Sequence, residues 1–246
     1  MKKLIYLILV VSVFACEDSG DQAGLELGGT GQGGSLTRFT IIENHLFVLD
    51  QVRVRIYDIK TDGTFELDHE VFVGPDLETI FYNGEYVFLG SSSAVYFLHF
   101  DPNGNLELLS SYEHITACDP VVGKDGVAFS TLRSSGCRFF SDEVIDVIDY
   151  SDVFQPKLIK SYFSSAPYGL AIKKDFLFVC EKNGLTVYDK SDPSDMKERD
   201  FLTLENDTPI DLIVNGSQLI IRTDEGIYNA SYNEKGELSL LGRLIQ

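Results

Sequence analysis

Two neighbouring segments share one pattern: CDPVVGKDGVAFSTLRSSGCRFFSDEVIDVIDYSD (Cys118–Asp152) and APYGLAIKKDFLFVCEKNGLTVYDKSDP (Ala166–Pro193). Each contains a proline, an apolar strand, a charged turn and two further apolar strands, followed by Asp-x-Ser-Asp. The first copy also carries an insertion between Arg133 and Glu143 that holds a cysteine. A repeat of this size indicates an architecture of stacked units rather than a single site.

Two markers extend the repeat along the chain to five units. A turn pair follows the first strand of each unit, and a proline precedes that strand in four of the five. The turn pairs are Glu43-Asn44, Asn83-Gly84, Lys124-Asp125, Lys174-Asp175 and Asn215-Gly216, and the prolines are Pro75, Pro120, Pro167 and Pro209. The units predicted from these markers span about residues 35–74, 75–117, 118–166, 167–206 and 207–246.

Each unit contains four short runs rich in Val, Ile, Phe, Tyr and Leu, such as LTRFTII, HLFVL, VRIYDI and FELDHEVFV in the first unit. Gly, Asn and Asp turns separate these runs roughly every 8–12 residues, and no helical period is present. Units of this length with four antiparallel strands are typical of β-propeller blades. We therefore predict an all-β, five-bladed propeller, with an open or incomplete propeller, or a blade shared between two chains, as the alternative.

The middle units also resemble a known family. Asp119-Pro120-Val121-Val122, VIDVID (residues 144–149) and GLTVYD (residues 184–189) are similar to segments of the LVIVD-repeat lipoproteins of Bacteroidetes-like bacteria. The similarity covers residues 118–193 closely, and the outer units match only in strand rhythm. This resemblance implies a β-propeller lipoprotein, and it implies no particular activity because none is established for that family.

The N-terminus has the features of an export signal. Lys2 and Lys3 precede an apolar run that ends at Ala15-Cys16, and charged residues interrupt this run before it reaches the length of a membrane span. Val13-Phe14-Ala15-Cys16 resembles a bacterial lipobox. We therefore predict a signal peptide over residues 1–15 and lipidation of Cys16, with ordinary secretion after cleavage at Ala15 as the alternative.

A Gly-rich, acidic segment follows Cys16 and is predicted to be a flexible tether over residues 16–35. Its acids, Glu17, Asp18 and Asp21, resemble an export tag of surface lipoproteins, although they could equally serve to keep the tether extended. The single folded domain then spans residues 36–246. We expect a lipid-anchored protein of the bacterial cell envelope, at the outer membrane and displayed on its surface.

The charge balance limits the partners. The chain has 38 acidic and 20 basic residues and a formal net charge of −18. Nucleic acid and anionic headgroups repel such a surface, so we expect no nucleic-acid partner and membrane attachment through the lipid alone. The sequence does not indicate an oligomeric state.

Three cysteines remain besides Cys16. In a four-stranded blade, the start of the innermost strand and the end of the second lie at the same end, so Cys118 and Cys137 could meet. An exported compartment permits oxidation. We predict a Cys118–Cys137 disulfide that stabilises the fold by about 3 kcal/mol, with Cys180 as a small buried apolar residue. Pairing of Cys180 with either of the other two is the alternative.

The sequence offers no established catalytic or metal-binding motif. The histidines are His45, His69, His99 and His114, and none of them has metal-ligand spacing. A nucleophile elbow, a phosphate-binding loop and a nucleotide fingerprint are also missing from the sequence. We therefore predict no catalytic residue, no metal ligand and no cofactor.

The loops before the first strand and between the second and third strands of each unit should meet at one mouth of a propeller channel. These loops contain Asp76, Glu78, His114, Asp119, Arg133, Tyr168, Glu181, Asp211 and Asp224. The predicted ligand-binding residues among them are Asp76, Asp119, Arg133, Tyr168 and Asp211. Arg133 could orient a ligand, or it could neutralise the surrounding carboxylates.

The preferred hypothesis is a binding module for a protein, glycan or cation. A hydrolase or lyase with an envelope or extracellular substrate, using carboxylates at the channel mouth as acid and base, is the second hypothesis. A structural spacer is the third. Ligand-induced thermal stabilisation without turnover would distinguish the first from the second.

Overall fold

The computed structural model describes residues 34–101, 104–114, 120–133 and 143–245. These residues form twenty strands in five antiparallel four-stranded sheets, each built from four consecutive strands. The predicted β-propeller with five four-stranded blades is therefore confirmed. The described residues include no helix with the length and hydropathy of a membrane span.

The strands of each blade lie within the predicted unit. Blade one contains β1 (Phe39–Ile42), β2 (His45–Leu49), β3 (Arg53–Ile59) and β4 (Phe65–Phe72). Blade two contains β5 (Leu77–Tyr82), β6 (Tyr86–Ser91), β7 (Ala94–Phe100) and β8 (Leu106–Glu113). Blade three contains β9 (Val121–Lys124), β10 (Val127–Leu132), β11 (Val144–Asp149) and β12 (Lys157–Phe163). Blade four contains β13 (Leu170–Lys173), β14 (Phe176–Glu181), β15 (Gly184–Asp189) and β16 (Lys197–Thr203), and blade five contains β17 (Pro209–Asn215), β18 (Gln218–Thr223), β19 (Gly226–Tyr232) and β20 (Leu238–Ile245).

The repeated turn residues have a conformational reason. The tight turn between the first two strands requires positive φ, which is found at Glu43, Gly84, Asp125, Lys174 and Gly216. The two Asp-x-Ser-Asp segments replace a glycine hairpin before the outermost strand with side-chain turns. In each of them the first aspartate accepts a hydrogen bond from the backbone N–H two residues later. Asp149 accepts from Ser151, and Asp189 accepts from Ser191.

Apolar side chains between adjacent blades form the core. Four buried clusters join blades one and two, two and three, three and four, and four and five. Cys180 is fully buried in the last of these clusters, which confirms its predicted apolar role, and burial raises the pKa of its thiol. Phe88 and Phe178 are fully buried between blades, where Phe88 packs against Tyr150 of blade three and Phe178 against Tyr232 of blade five.

The contact between the fifth and first blades differs from the other four. None of the four apolar clusters of the described residues spans these two blades. A cavity of about 380 Å³ lies against blade five, beside Ile220 and Ile227, and Gly34 also lines it. The connection between the two blades is polar and uses the residues that precede β1.

Residues 34–37, which we call the plug, cross the channel of the propeller. The backbone N–H and the hydroxyl of Ser35 donate to Asp211 Oδ1 at 3.0 and 3.2 Å, and the Leu36 N–H donates to Oδ2 at 3.2 Å. The Leu170 N–H donates to Ser35 Oγ at 2.8 Å, and the Ile80 N–H donates to the Thr37 carbonyl at 2.9 Å. The plug therefore ties blades two, four and five to the start of blade one.

The plug differs from the sequence prediction, in which the first strand included Leu36 and Thr37. The run LTRFTII was predicted to be strand throughout, but β1 begins only at Phe39. Ser35, where the predicted tether meets the first unit, is 2% exposed. An added Cβ on Gly34 would clash with the Asp211 carboxylate, so the plug passes too close to it for a side chain at this position.

Candidate functional site

The innermost strands run along the channel, so the residues before these strands gather at one end of it. We call this end the upper mouth and define it by the charged and aromatic residues found there. They are Arg38, Asp76, Glu78, Arg133 and Tyr168. Four of these were candidates from the sequence, whereas Arg38 was missed because it lies in a run that was predicted to be strand.

Arg133 and Tyr168 come from neighbouring blades and stack on one another. The Arg133 guanidinium carbon lies 4.1 Å from the centroid of the Tyr168 ring, which is a cation–π contact. The backbone of Tyr168 is held from both sides: Thr131 Oγ1 donates to its carbonyl at 2.7 Å, and its N–H donates to the Cys180 carbonyl at 2.8 Å. Since Arg133 directly follows β10, which contains Thr131, the pair is fixed by the packing of blade three on blade four.

Glu78 enters the upper mouth from a β-bulge. Leu77 pairs with Ser91 and Thr79 pairs with Gly90, so the register shifts at Glu78 and its side chain is directed away from the regular alternation. Burial raises the pKa of the Glu78 carboxyl, while Arg133 and Arg38 act in the opposite direction. Asp76 adds a smaller rise. A half-buried acid beside two guanidinium groups can bind hydroxyls or exchange a proton.

The other predicted residues have different environments. Asp76 is exposed, with φ of 53°, and its carboxylate accepts a hydrogen bond from Ser92 Oγ at 3.2 Å. Asp211 lies on the same side of the channel, but its oxygens accept the plug hydrogen bonds and the Leu212 N–H at 3.0 Å. Burial raises the pKa of Asp211, and these hydrogen bonds oppose that rise. Its part in ligand binding stays a prediction, whereas its part in the fold is visible.

Glu181 is directed into the protein and not into the mouth. It is 8% exposed, and its oxygens accept hydrogen bonds from the hydroxyls of Ser164, Thr186 and Tyr188. Asp224 is exposed on blade five, and its N–H donates to the Thr208 carbonyl. His114 directly follows the outer strand β8.

Several predictions fall outside the described residues. Cys16, Cys118, Asp119 and Cys137 all lie there, so the lipid attachment, the disulfide and the role of Asp119 stay predictions. Within the described ranges, no group of three or more His, Cys, Asp or Glu side chains is placed to hold a metal ion.

Sequence comparisons do not place the chain in a family. No protein-family model matches it, and no curated protein sequence does. Solved structures with a similar fold include a protein of unknown function from Desulfotomaculum acetoxidans, with a TM-score of 0.69 and 9% identity over 82% of this chain and 67% of the other. The periplasmic gluconolactonase PpgL of Pseudomonas aeruginosa gives a TM-score of 0.63 and 14% identity over 82% of this chain and 69% of PpgL.

Apo AztD from Citrobacter koseri gives a TM-score of 0.59 and 13% identity, over 80% of this chain and 58% of that protein. The chain therefore spans roughly two thirds or less of the length of these neighbours. At such identities the similarity establishes the propeller fold and leaves the site to be argued from its own residues.

Proposed function

We propose that this chain is a lipid-anchored protein of the bacterial cell envelope whose propeller binds a ligand at the upper mouth. The observation that carries the binding role is the Arg133 guanidinium stacked on Tyr168 near the half-buried Glu78. The lipobox-like Val13–Cys16 segment and the resemblance to LVIVD-repeat lipoproteins support the anchor. Attachment at the outer membrane, with display on the surface, completes the proposal.

The chemistry of the upper mouth favours a glycan that contains uronic acids. Arg38 and Arg133 can pair with a sugar carboxylate. Glu78 and the exposed Asp76 can accept hydrogen bonds from sugar hydroxyls. A neutral sugar lacks the carboxylate that the two arginines can pair with.

Titration with trigalacturonate tests this assignment, with maltotriose as the neutral probe. Wild-type protein should bind trigalacturonate and gain thermal stability. Arg133→Met should weaken binding at least tenfold, because a charge-assisted hydrogen bond contributes about 1.5–3 kcal/mol. Arg199→Met is the matched control. Arg199 lies on the outer strand β16 and pairs with Asp189 at the end of β15. Equal binding of both sugars, or unchanged binding by Arg133→Met, would refute the uronic-acid assignment.

The raised pKa of Glu78 supports a second candidate, a hydrolase or lyase in which Glu78 is the general acid. For a binding module, affinity for trigalacturonate should rise as the pH falls through that raised pKa, because protonation removes the negative charge beside Arg133. Glu78→Gln should show the low-pH affinity at neutral pH and lose the pH dependence. Shortening of trigalacturonate by wild type, and its loss in Glu78→Gln, would replace the binding module with the enzyme.

The anchor is tested separately from the binding site. Cells fed a labelled fatty acid should incorporate it into the wild-type protein, and Cys16→Ser should remain unlabelled and leave the membrane fraction. Protease added to intact cells should then degrade the wild-type protein if it is displayed on the surface. A Cys16→Ser protein that still incorporates the label would contradict lipidation at this position.

A further inference from the structure

The opposite end of the channel, which we call the lower mouth, carries four lysines around one cavity. A cavity of about 250 Å³ extends along the inner strands, with Ser35 and Thr37 of the plug at its upper end. Its lower end is lined by Lys124, Lys173, Lys174 and Lys190, and the described part of the chain contributes no carboxylate to the lining. In a chain with a net charge of −18, this grouping is unexpected from composition alone.

The repeat explains how the lysines come together. Lys124 and Lys173 are the last residues of the inner strands β9 and β13, and they pair with Val127 and Phe176 at the starts of the next strands. They therefore occupy equivalent positions in neighbouring blades and point to the same end of the channel. Lys174 follows in the turn, and Lys190 directly follows β15, which ends at that same mouth.

The pKa of Lys190 reflects its position among these charged groups. Lys190 is half-buried, and burial is the main cause that lowers its pKa. Lys124 lowers it further, while Asp175, Asp125 and Asp189 act in the opposite direction. These aspartates lie beside the lysines but outside the cavity lining. Glu43 and Glu85 also act on Tyr82, which lines the cavity, but the charged residues among the described lining are all lysines.

From the lysine positions and the cavity size we propose that the lower mouth binds a small multivalent oxyanion, a phosphorylated or polycarboxylate compound. Several positive charges around one cavity favour a ligand with more than one negative charge. The volume admits a compound of a few carbon or phosphorus atoms and excludes an oligosaccharide. This site is independent of the upper mouth, because the plug lies between the two.

Calorimetric titration of the folded protein with pyrophosphate, citrate and acetate tests the site at about physiological salt. Pyrophosphate or citrate should bind and raise the melting temperature, and acetate should do neither. A preference for pyrophosphate assigns phosphate chemistry, and a preference for citrate assigns carboxylate chemistry. Failure of both multivalent anions to bind would overturn the proposal.

The double variant Lys124→Gln/Lys173→Gln should bind the preferred anion at least tenfold more weakly. Both side chains are exposed, so the substitutions should leave the melting temperature of the free protein nearly unchanged. Lys60→Gln/Lys235→Gln is the charge-matched control, because these two lysines lie in the turns before the outer strands β4 and β20. Equal weakening by the two double variants would show a general charge effect and would also overturn the site.

Discussion

Replacing Asp211 with alanine should lower the free energy of unfolding by about 3 kcal/mol. The substitution leaves the N–H groups of Ser35, Leu36 and Leu212 without the carboxylate that accepts their hydrogen bonds. It also frees the plug, which is the polar connection between the fifth and first blades. For a domain of this size, the melting temperature should fall by about 6–12 °C, measured by calorimetry.

Asparagine substitutions provide the matched comparison. Asp211→Asn retains one acceptor oxygen but places an amide N–H₂ toward backbone donors, so it should destabilise clearly, though less than alanine. Asp76→Asn changes an exposed carboxylate and should cost less than about 0.5 kcal/mol. Amide exchange at Ile80 and Leu170, which donate to the plug, should accelerate in the Asp211 variants. An Asp211→Ala protein that melts like wild type would show that the plug does not hold the ring together.

Glu181→Ala should destabilise the protein by a similar amount, about 3 kcal/mol. The carboxylate accepts hydrogen bonds from Ser164, Thr186 and Tyr188 in a buried position between blades three and four. Removing it leaves these hydroxyls without a common acceptor and opens a small cavity beside them. Denaturant unfolding should show a lower midpoint with an unchanged slope.

Conservative and exposed variants separate this effect from a general loss of charge. Glu181→Gln keeps one acceptor oxygen, and the Thr186 hydroxyl can rotate to accept from the new amide, so about 1 kcal/mol should be lost. Glu85→Ala removes an exposed carboxylate and should be nearly neutral. If Glu181→Ala were as stable as wild type but bound trigalacturonate weakly, Glu181 would belong to the ligand site instead of the fold.

The framework of the fold could be predicted from the sequence because every blade requires the same kinds of turn between its strands. Residues with positive φ, such as Asp125 and Lys174, recur in the first hairpin of each blade because that turn requires them. The Asp-x-Ser-Asp segments recur because Asp149 and Asp189 form the turn with their own side chains. Period and turn chemistry are local, and a single sequence displays them directly.

The site was less predictable because it depends on contacts between distant residues. Nothing local to Asp211 indicates that Ser35, 176 positions away, would donate to its carboxylate. Glu78 and Glu181 both lie near a strand end, yet a bulge directs the first into the channel mouth and three hydroxyls hold the second inside the protein. The lower-mouth lysines lie in ordinary turns, and only the propeller brings them around one cavity.

The most direct test of ligand binding at the upper mouth is an NMR titration of the isotope-labelled protein with trigalacturonate. The binding account predicts saturable changes in the backbone amide shifts of Glu78, Arg133 and Tyr168, with the amides of the outer strand β16 unchanged. Saturable changes confined to the outer strands or to the lower-mouth lysines, or no saturable change at all, would contradict it.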